Sequence, residues 1–367
     1  MKKTRLWIAI FIPVWFMICL NNIRVSLGIE TATFIADNRP TYTTSTIDVQ
    51  LMKDRLHTTQ SNDIQHSLKN QTLPHYLMHI PKTAGYYAYR VLSSTLSNDP
   101  NYNKLSSNDK YRLCNVGEMP ILKDTILMPE YGGTKCTMYM SEYHYNKLPS
   151  NKIPQYAYTI VRNSKHHVLS QYFHCTESND RGARQKNAKR EIPLPSLEEW
   201  LSKWALSIDD SKERFLNSKM RCYNPIDMQS KYVGFDNDSL NSTAIGNNAA
   251  AGALKSIQQK FTVVGPLDDI DRVLCVIMIH YAGWLPAKCN CSSSDNDQRR
   301  RRRLVETSQH GVIHHGSTYN TTRFEDSLIE KLTTKDELLY DYSKQLFGMQ
   351  LRVVEEYFNV TICDTIR

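Results

Sequence analysis

The residues with the most chemical promise lie close together in His79-Ile80-Pro81-Lys82-Thr83-Ala84-Gly85-Tyr86, between an apolar strand pattern and a helical one. A strand, a tight lysine-bearing loop and a helix start together make an anion site. Pro81 removes a backbone donor and stiffens the entry to the loop. Gly85 permits close approach or a positive φ. The amides from Lys82 to Tyr86 and the Thr83 hydroxyl can wrap a phosphate-like group, to which Lys82 adds a mobile point charge. The G-x-x-x-x-G-K-[ST] spacing of a Walker A loop is absent. The plain alternative is a strand–turn–helix corner with a surface lysine.

A second grip is spelled by Arg162, at the end of the strand pattern Tyr-Ala-Tyr-Thr-Ile-Val, with Ser170 eight residues on. A helix beginning near Ser164 places Ser170 about two turns in, so strand end and helix can hold one phosphate. In parallel sheets ligands sit beyond the carboxyl ends of the strands. Two separate grips of this kind suit a nucleotide with phosphates at both ends of its sugar.

The pair "HIPKTAG" and "TIVRNSKHHVLSQY" resembles the 5′- and 3′-phosphosulfate-binding motifs of Golgi carbohydrate sulfotransferases, most of all the heparan sulfate 2-O- and 6-O-sulfotransferase group. The resemblance spans roughly residues 75–360, with sharp motifs only near 79–86 and 158–172. It implies 3′-phosphoadenosine 5′-phosphosulfate (PAPS) as donor, a P-loop-like α/β fold and a type II Golgi membrane protein with no metal. It implies Lys82 and Thr83, with the loop through Ala84, Gly85 and Tyr86, at the 5′-phosphosulfate. Arg162 and Ser170 then fall at the 3′-phosphate. Ala84 stands where many members have Gly, Tyr86 and Tyr87 where small hydroxyl residues are common, and Asn163-Ser164 where Asp-Pro is usual. The tyrosines put the acceptor side, not the donor side, in question.

Sulfuryl transfer, like phosphoryl transfer, is mostly positioning and charge stabilisation of an in-line displacement. Lys82 would stabilise the bridging oxygen, and a base must take the acceptor proton. His144, in "CTMYMSEYHYNKL" between the two motifs, is the first candidate; the 2-O and 6-O enzymes carry a His in a comparable stretch. Glu142 is the second and His79 the third. A different chemistry is offered by Asp268, Asp269 and Asp271: an Asp-x-Asp metal site of a glycosyltransferase, or ordinary capping of the helix that follows. A third reading is a non-catalytic luminal protein that binds nucleotide or glycan.

The elements needed to position these groups are legible as strands over Tyr76–Ile80, 135–140, 155–161 and 261–265. Helical spacing follows them. Gly85–Leu96 carries Tyr86, Tyr89, Leu92 and Leu96 on one face. Others start after Arg162, at Ser196 with a capping pattern to Glu199, and after the aspartates. The last opens at Thr334 with a capping box to Glu337 and carries Leu339, Tyr342, Leu346, Met349, Val353 and Tyr357 on one stripe. Alternation of strand and helix predicts an α/β fold with a mostly parallel sheet flanked by helices. Residues 224–252 read as a long surface loop and 290–322 as an insertion.

The flanks concern location. Lys2, Lys3 and Arg5 form a short cytosolic tail (1–5) before the apolar run Leu6–Leu20, read as a signal anchor with everything after it luminal. A cleaved signal peptide is the alternative. Residues 21–72, rich in Thr, Asn, Asp and Ser, read as a flexible stem, with the catalytic domain over 73–367. Sequons occur at Asn70, Asn237, Asn241, Asn290, Asn320 and Asn359. Of nine cysteines, Cys19 lies in the apolar run, leaving an even eight that suit disulfides in an oxidising lumen, with Cys289 and Cys291 each pairing elsewhere. Zinc is the alternative. The 45 basic residues exceed the 37 acidic ones, a net charge of +8 that suits an anionic ligand. The run Arg299–Arg303 is either a contact for an acidic polysaccharide or a solvated loop; nucleic acid does not fit a lumen.

Overall fold

The computed structural model describes residues 49–60, 75–101, 113–117, 130–131, 134–135, 137–142, 144–145, 148, 154–177, 195–209, 223–234, 254–255, 257–291 and 319–364. The strands are β1 (His75–Met78), β2 (Leu113–Gly117), β3 (Glu130–Tyr131), β4 (Thr134–Lys135), β5 (Met138–Ser141), β6 (Tyr156–Val161) and β7 (Val263–Pro266). The helices are α1 (Val49–Gln60), α2 (Gly85–Ser97), α3 (Ser164–Glu177), α4 (Leu197–Asp209), α5 (Met228–Val233), α6 (Ile270–Ala282), α7 (Arg323–Leu332) and α8 (Thr334–Phe358).

Five strands form one sheet in the order β2-β5-β1-β6-β7, every neighbouring pair parallel. Strands β3 and β4 make a separate antiparallel pair. The protein is thus a mixed α/β fold with a parallel central sheet flanked by helices. Strands β1, β5, β6 and β7 are buried along their whole length, as parallel strands covered on both faces must be. The register pairs Met78 with both Ser141 and Thr159, so β5 and β1 end level and β6 runs two residues further.

The order has one functional consequence. After β1 the chain crosses through α2 to the β2 edge; after β6 it proceeds to β7 on the other side. The two connections diverge, so the crevice of the sheet opens between β1 and β6. Helix α6, buried all round from Val273 to Ala282, packs on β7, where Gly265 faces Val273: a Cβ there would lie 2.2 Å from Val273 Cγ2. A second core of Val168, Phe173, Trp200, Trp204 and Leu332 joins α3, α4 and α7.

Several expectations change. Residues 49–60, placed in the stem, form α1, which buries Met52 and Leu56 and packs on α8 and α6; its apolar contacts, not its weak periodicity, fix it. Arg55 of α1 donates to the carbonyls of Gln258 (3.0 Å), Phe261 (2.7 Å) and Gln259 (2.7 Å). Tyr86 is 47% exposed, and the buried face of α2 runs through Ala88, Leu92 and Leu96 instead. On α8, Leu339, Tyr342, Leu346 and Val353 are buried, but Tyr357 is exposed. Strand β2 and helices α5 and α7 lie in stretches not read as regular structure.

The capping box expected at Thr334–Glu337 belongs to Thr322 and Glu325, where the Glu325 amide donates to Thr322 Oγ1 (3.1 Å) and the Thr322 amide to Glu325 Oε2 (2.7 Å). Glu337 accepts from the Ser164 hydroxyl instead. The Ser196–Glu199 cap is present, the Glu199 amide donating to Ser196 Oγ over 3.3 Å. Cys289 and Cys291 pair elsewhere, with Cys275 and Cys363 respectively, and Cys114 and Cys175 are also disulfide-bonded. Zinc ligation by Cys289 or Cys291 is thereby excluded. Among the described residues no helix is long and apolar enough to cross a membrane. The apolar run Leu6–Leu20, Arg299–Arg303 and the sequons at Asn70, Asn237 and Asn241 lie outside the described residues.

Candidate functional site

The loop between β1 and α2 is held in an unusual shape. Lys82 (φ 70°) and Ala84 (φ 60°) both adopt left-handed conformations without being glycine. Such residues persist only where the surroundings over-determine them, at a cost on the order of 1–3 kcal/mol each. The surroundings are visible. The Thr83 amide (3.2 Å) and hydroxyl (2.8 Å) both donate to the Ile80 carbonyl. The Gly85 amide donates to His79 Nε2 over 3.1 Å, and a Cβ at Gly85 would sit 2.1 Å from that nitrogen, which explains the glycine. His79 Nδ1 in turn meets Glu142 Oε1 at 3.2 Å.

The second motif closes on the first. Arg162 Nη1 donates to the Lys82 carbonyl over 3.2 Å. Burial draws the guanidinium down to about pKa 10 while the carboxylate of Asp268 acts to raise it, so it stays charged at neutral pH. Helix α3 begins at Ser164, as expected, with Asn163 Oδ1 accepting the His166 amide at 3.2 Å. His167, unremarked in the sequence, is buried and joins α3 to the loop: its Nε2 donates to the Pro81 carbonyl (2.8 Å), and Gln171 Nε2 donates to its Nδ1 (3.0 Å). Burial, with Arg162 and Lys82 nearby, holds its pKa down to about 3, so the ring is neutral and fits this pattern of one donor and one acceptor. Ser170, half-buried, lies one turn beyond His166 and His167.

The base candidates share a tautomer and differ in what Nε2 meets. A carbonyl only accepts, so the 3.2 Å contact of His144 Nδ1 with the Lys231 carbonyl puts the proton on Nδ1 and leaves Nε2 as the acceptor nitrogen. The His144 ring also stacks on Tyr232, centroids 4.0 Å apart. His79 also carries its proton on Nδ1, toward Glu142, but its Nε2 already accepts the Gly85 amide, so its part is to hold the loop and orient Glu142.

The aspartates beyond β7 are engaged with the protein. Tyr87 Oη donates to Asp271 Oδ1 at 2.7 Å, Arg272 pairs with Asp269 at 3.0 Å, and Tyr340 donates to Asp268. Asp269 is the N-cap of α6 but makes no side-chain cap bond, because its carboxylate turns to Arg272. Among the described residues no group of three or more His, Cys, Asp or Glu side chains is arranged to hold a metal.

The donor set fits a nucleotide with two anionic ends in part. Thr83 and the Gly85 amide are used within the loop. Lys82, Arg162, Ser170 and the first turn of α2 are the candidate groups for phosphate. Lys82 Nζ lies 5.8 Å above the ring of Tyr223, which steers the ammonium. No protein-family model matches the chain, and no curated protein matches it.

Proposed function

We propose that the protein transfers a sulfuryl group from PAPS to a hydroxyl of a glycan, as a membrane-anchored enzyme of the Golgi lumen. The observation that carries the reading is the meeting of a strained lysine loop and a buried arginine at one place: the Lys82 loop and Arg162 lie at the carboxyl ends of β1 and β6, between which the sheet's connections diverge. A crevice with a cation on each lip suits a ligand anionic at both ends.

In this reading Arg162 and Ser170 hold the 3′-phosphate, and the first turn of α2 with Lys82 holds the 5′-phosphosulfate. Lys82 stabilises charge on the oxygen that leaves with the nucleotide. His144 takes the acceptor proton at Nε2. The glycosyltransferase reading gains no support, since Asp269 and Asp271 are committed to Arg272 and Tyr87. The test is incubation of the purified protein with radiolabelled PAPS and a panel of glycans, beside nucleotide sugars with and without chelator. Label in a glycan from PAPS, insensitive to chelator, is the expected result. Transfer from a nucleotide sugar, or tight nucleotide binding with no transfer, would replace the reading.

A further inference from the structure

We propose that the short helix α5 is the positioning element of this site, setting Arg162 and His144 together, and that crossed caps between Asp227 and Asp336 hold it in place. The inference rests on the roles given above to those two side chains.

Gln229 is fully buried. Its side-chain carbonyl accepts the Arg162 amide at 2.7 Å, and its side-chain amide donates to the Arg162 carbonyl at 2.8 Å. A neighbouring strand would make the same two bonds. Gln229 therefore fixes the backbone just past β6, from which the guanidinium projects. Two and three residues on, the Lys231 carbonyl accepts from His144 Nδ1 and Tyr232 stacks on the same ring. One turn of helix thus holds the backbone that carries Arg162 past β6 and the ring of His144 from beyond β5.

A six-residue helix cannot hold itself. Asp336, in the first turn of α8, accepts the amides of Gln229 (3.1 Å) and Ser230 (2.7 Å). Asp227, just ahead of α5, accepts the amides of Lys335 (2.8 Å) and Asp336 (3.3 Å). Each helix start is closed by the other's carboxylate. Asp227 takes a left-handed φ of 44° to do so, and its own amide donates to the Leu332 carbonyl at 3.0 Å. Such a crossed pair ties α5 to α8 in one register.

The experiment compares Gln229→Leu, Tyr232→Ala, Tyr232→Phe, Asp336→Ala and Asp336→Asn in the purified chain. Three readouts are needed. Calorimetry gives the affinity for adenosine 3′,5′-bisphosphate and for adenosine 5′-monophosphate. NMR of labelled histidine gives the titration and tautomer of His144, assigned with His144→Ala. Hydrogen exchange gives the protection of the Arg162 amide. Gln229→Leu is expected to weaken bisphosphate binding ~10-fold or more, deprotect the Arg162 amide, spare 5′-monophosphate binding and leave His144 unchanged. Tyr232→Ala should shift the His144 titration without touching nucleotide affinity, and Tyr232→Phe should restore it. Asp336→Ala should move both halves at once, and Asp336→Asn, which keeps an acceptor oxygen, should do so less. Should Asp336→Ala fail to fold, Asp336→Asn alone must move both. A folded Asp336 variant in which neither half moves, or only one, overturns the proposal. If the unaltered protein binds no bisphosphate, the functional reading fails by itself, and the exchange and NMR readouts still decide whether α5 holds both residues.

Discussion

Arg162 and Lys82 stand eighty positions apart and meet through a bond from Nη1 to the main-chain carbonyl over 3.2 Å. The bond spans β6 and β1 where the crevice of the sheet opens. It uses the Lys82 carbonyl and brings two cationic residues to one corner of the sheet. In the proposed reading an anion bound at this corner meets both charges.

Arg162→Ala is therefore expected to weaken binding of adenosine 3′,5′-bisphosphate by about 1.5–3 kcal/mol, the size of a charge-assisted hydrogen bond. Calorimetry with the analogue lacking the 3′-phosphate should show little change. An equal loss for both nucleotides would move Arg162 away from the 3′ end.

Lys82→Ala should separate turnover from binding. If the ammonium acts on the departing oxygen, kcat falls ~10²–10³-fold, while affinity for the bisphosphate product falls far less. Steady-state rates beside product titrations check this. Proportionate losses in the two would make Lys82 a binding residue only.

Gly85→Ala tests the loop itself. The new Cβ would overlap the His79 ring, so His79 must swing off Gly85 and Glu142, releasing an α2 amide and the strained turn together. A stability loss of about 1–3 kcal/mol is expected from such overpacking, read as a lower urea midpoint with unchanged slope, together with loss of nucleotide binding. A stable variant that binds normally would show that the loop does not need this shape.

The sequence showed the sheet well where strands were long and β-branched, as in Tyr-Ala-Tyr-Thr-Ile-Val, and marked both corners through Lys82 and Arg162. It concealed what depends on distant partners. Helix α5 lies in polar, turn-rich sequence, and its caps come from α8, over one hundred positions away. Asp336 reads as an ordinary first-turn acid, Glu337 as a capping-box partner; tertiary contacts reassign both. His167 was visible only as half of a His-His pair, and its hold on the Pro81 carbonyl has no local signature.

Stability should depend on pH in a definite direction. Burial holds His75 and His167 down to about 3 and His280 to about 4, against 6.5 when unfolded. Asp336 moves the other way, from 3.8 up to about 7, through burial and then the nearby Asp227. Between about pH 4 and 6.5 the unfolded chain binds a proton at each of three histidines that the native chain refuses, while the native chain keeps one at Asp336. The unfolded state thus binds more protons, and stability rises with pH across this window, by several kcal/mol in all, roughly. Toward pH 7 the rise levels off as the unfolded histidines and native Asp336 lose their protons together. Urea midpoints from pH 4 to 8 check the rise and its levelling. Asp336→Asn removes the native proton that opposes the histidines and should make the acid limb steeper.

The assignment of the base yields the sharpest kinetic contrast. His144 donates from Nδ1 to the Lys231 carbonyl and so keeps Nε2 as its acceptor, whereas His79 has its Nε2 occupied by the Gly85 amide. Both histidines thus carry their proton on Nδ1, and they differ at Nε2, which in His79 already accepts the Gly85 amide. His144→Ala should leave bisphosphate binding intact and lower kcat by ~10²–10⁴-fold. Its activity–pH profile should also lose the acidic limb, because that limb records protonation of an imidazole that must be neutral to act. His79→Gln is the control. It disturbs the loop, lowers nucleotide affinity and reduces activity, yet the acidic limb persists because His144 is untouched. Matched pH–rate profiles of the two variants decide between them. If the limb vanishes in His79→Gln and survives in His144→Ala, proton transfer runs through the His79–Glu142 pair, and the Lys231 contact merely parks His144 against α5.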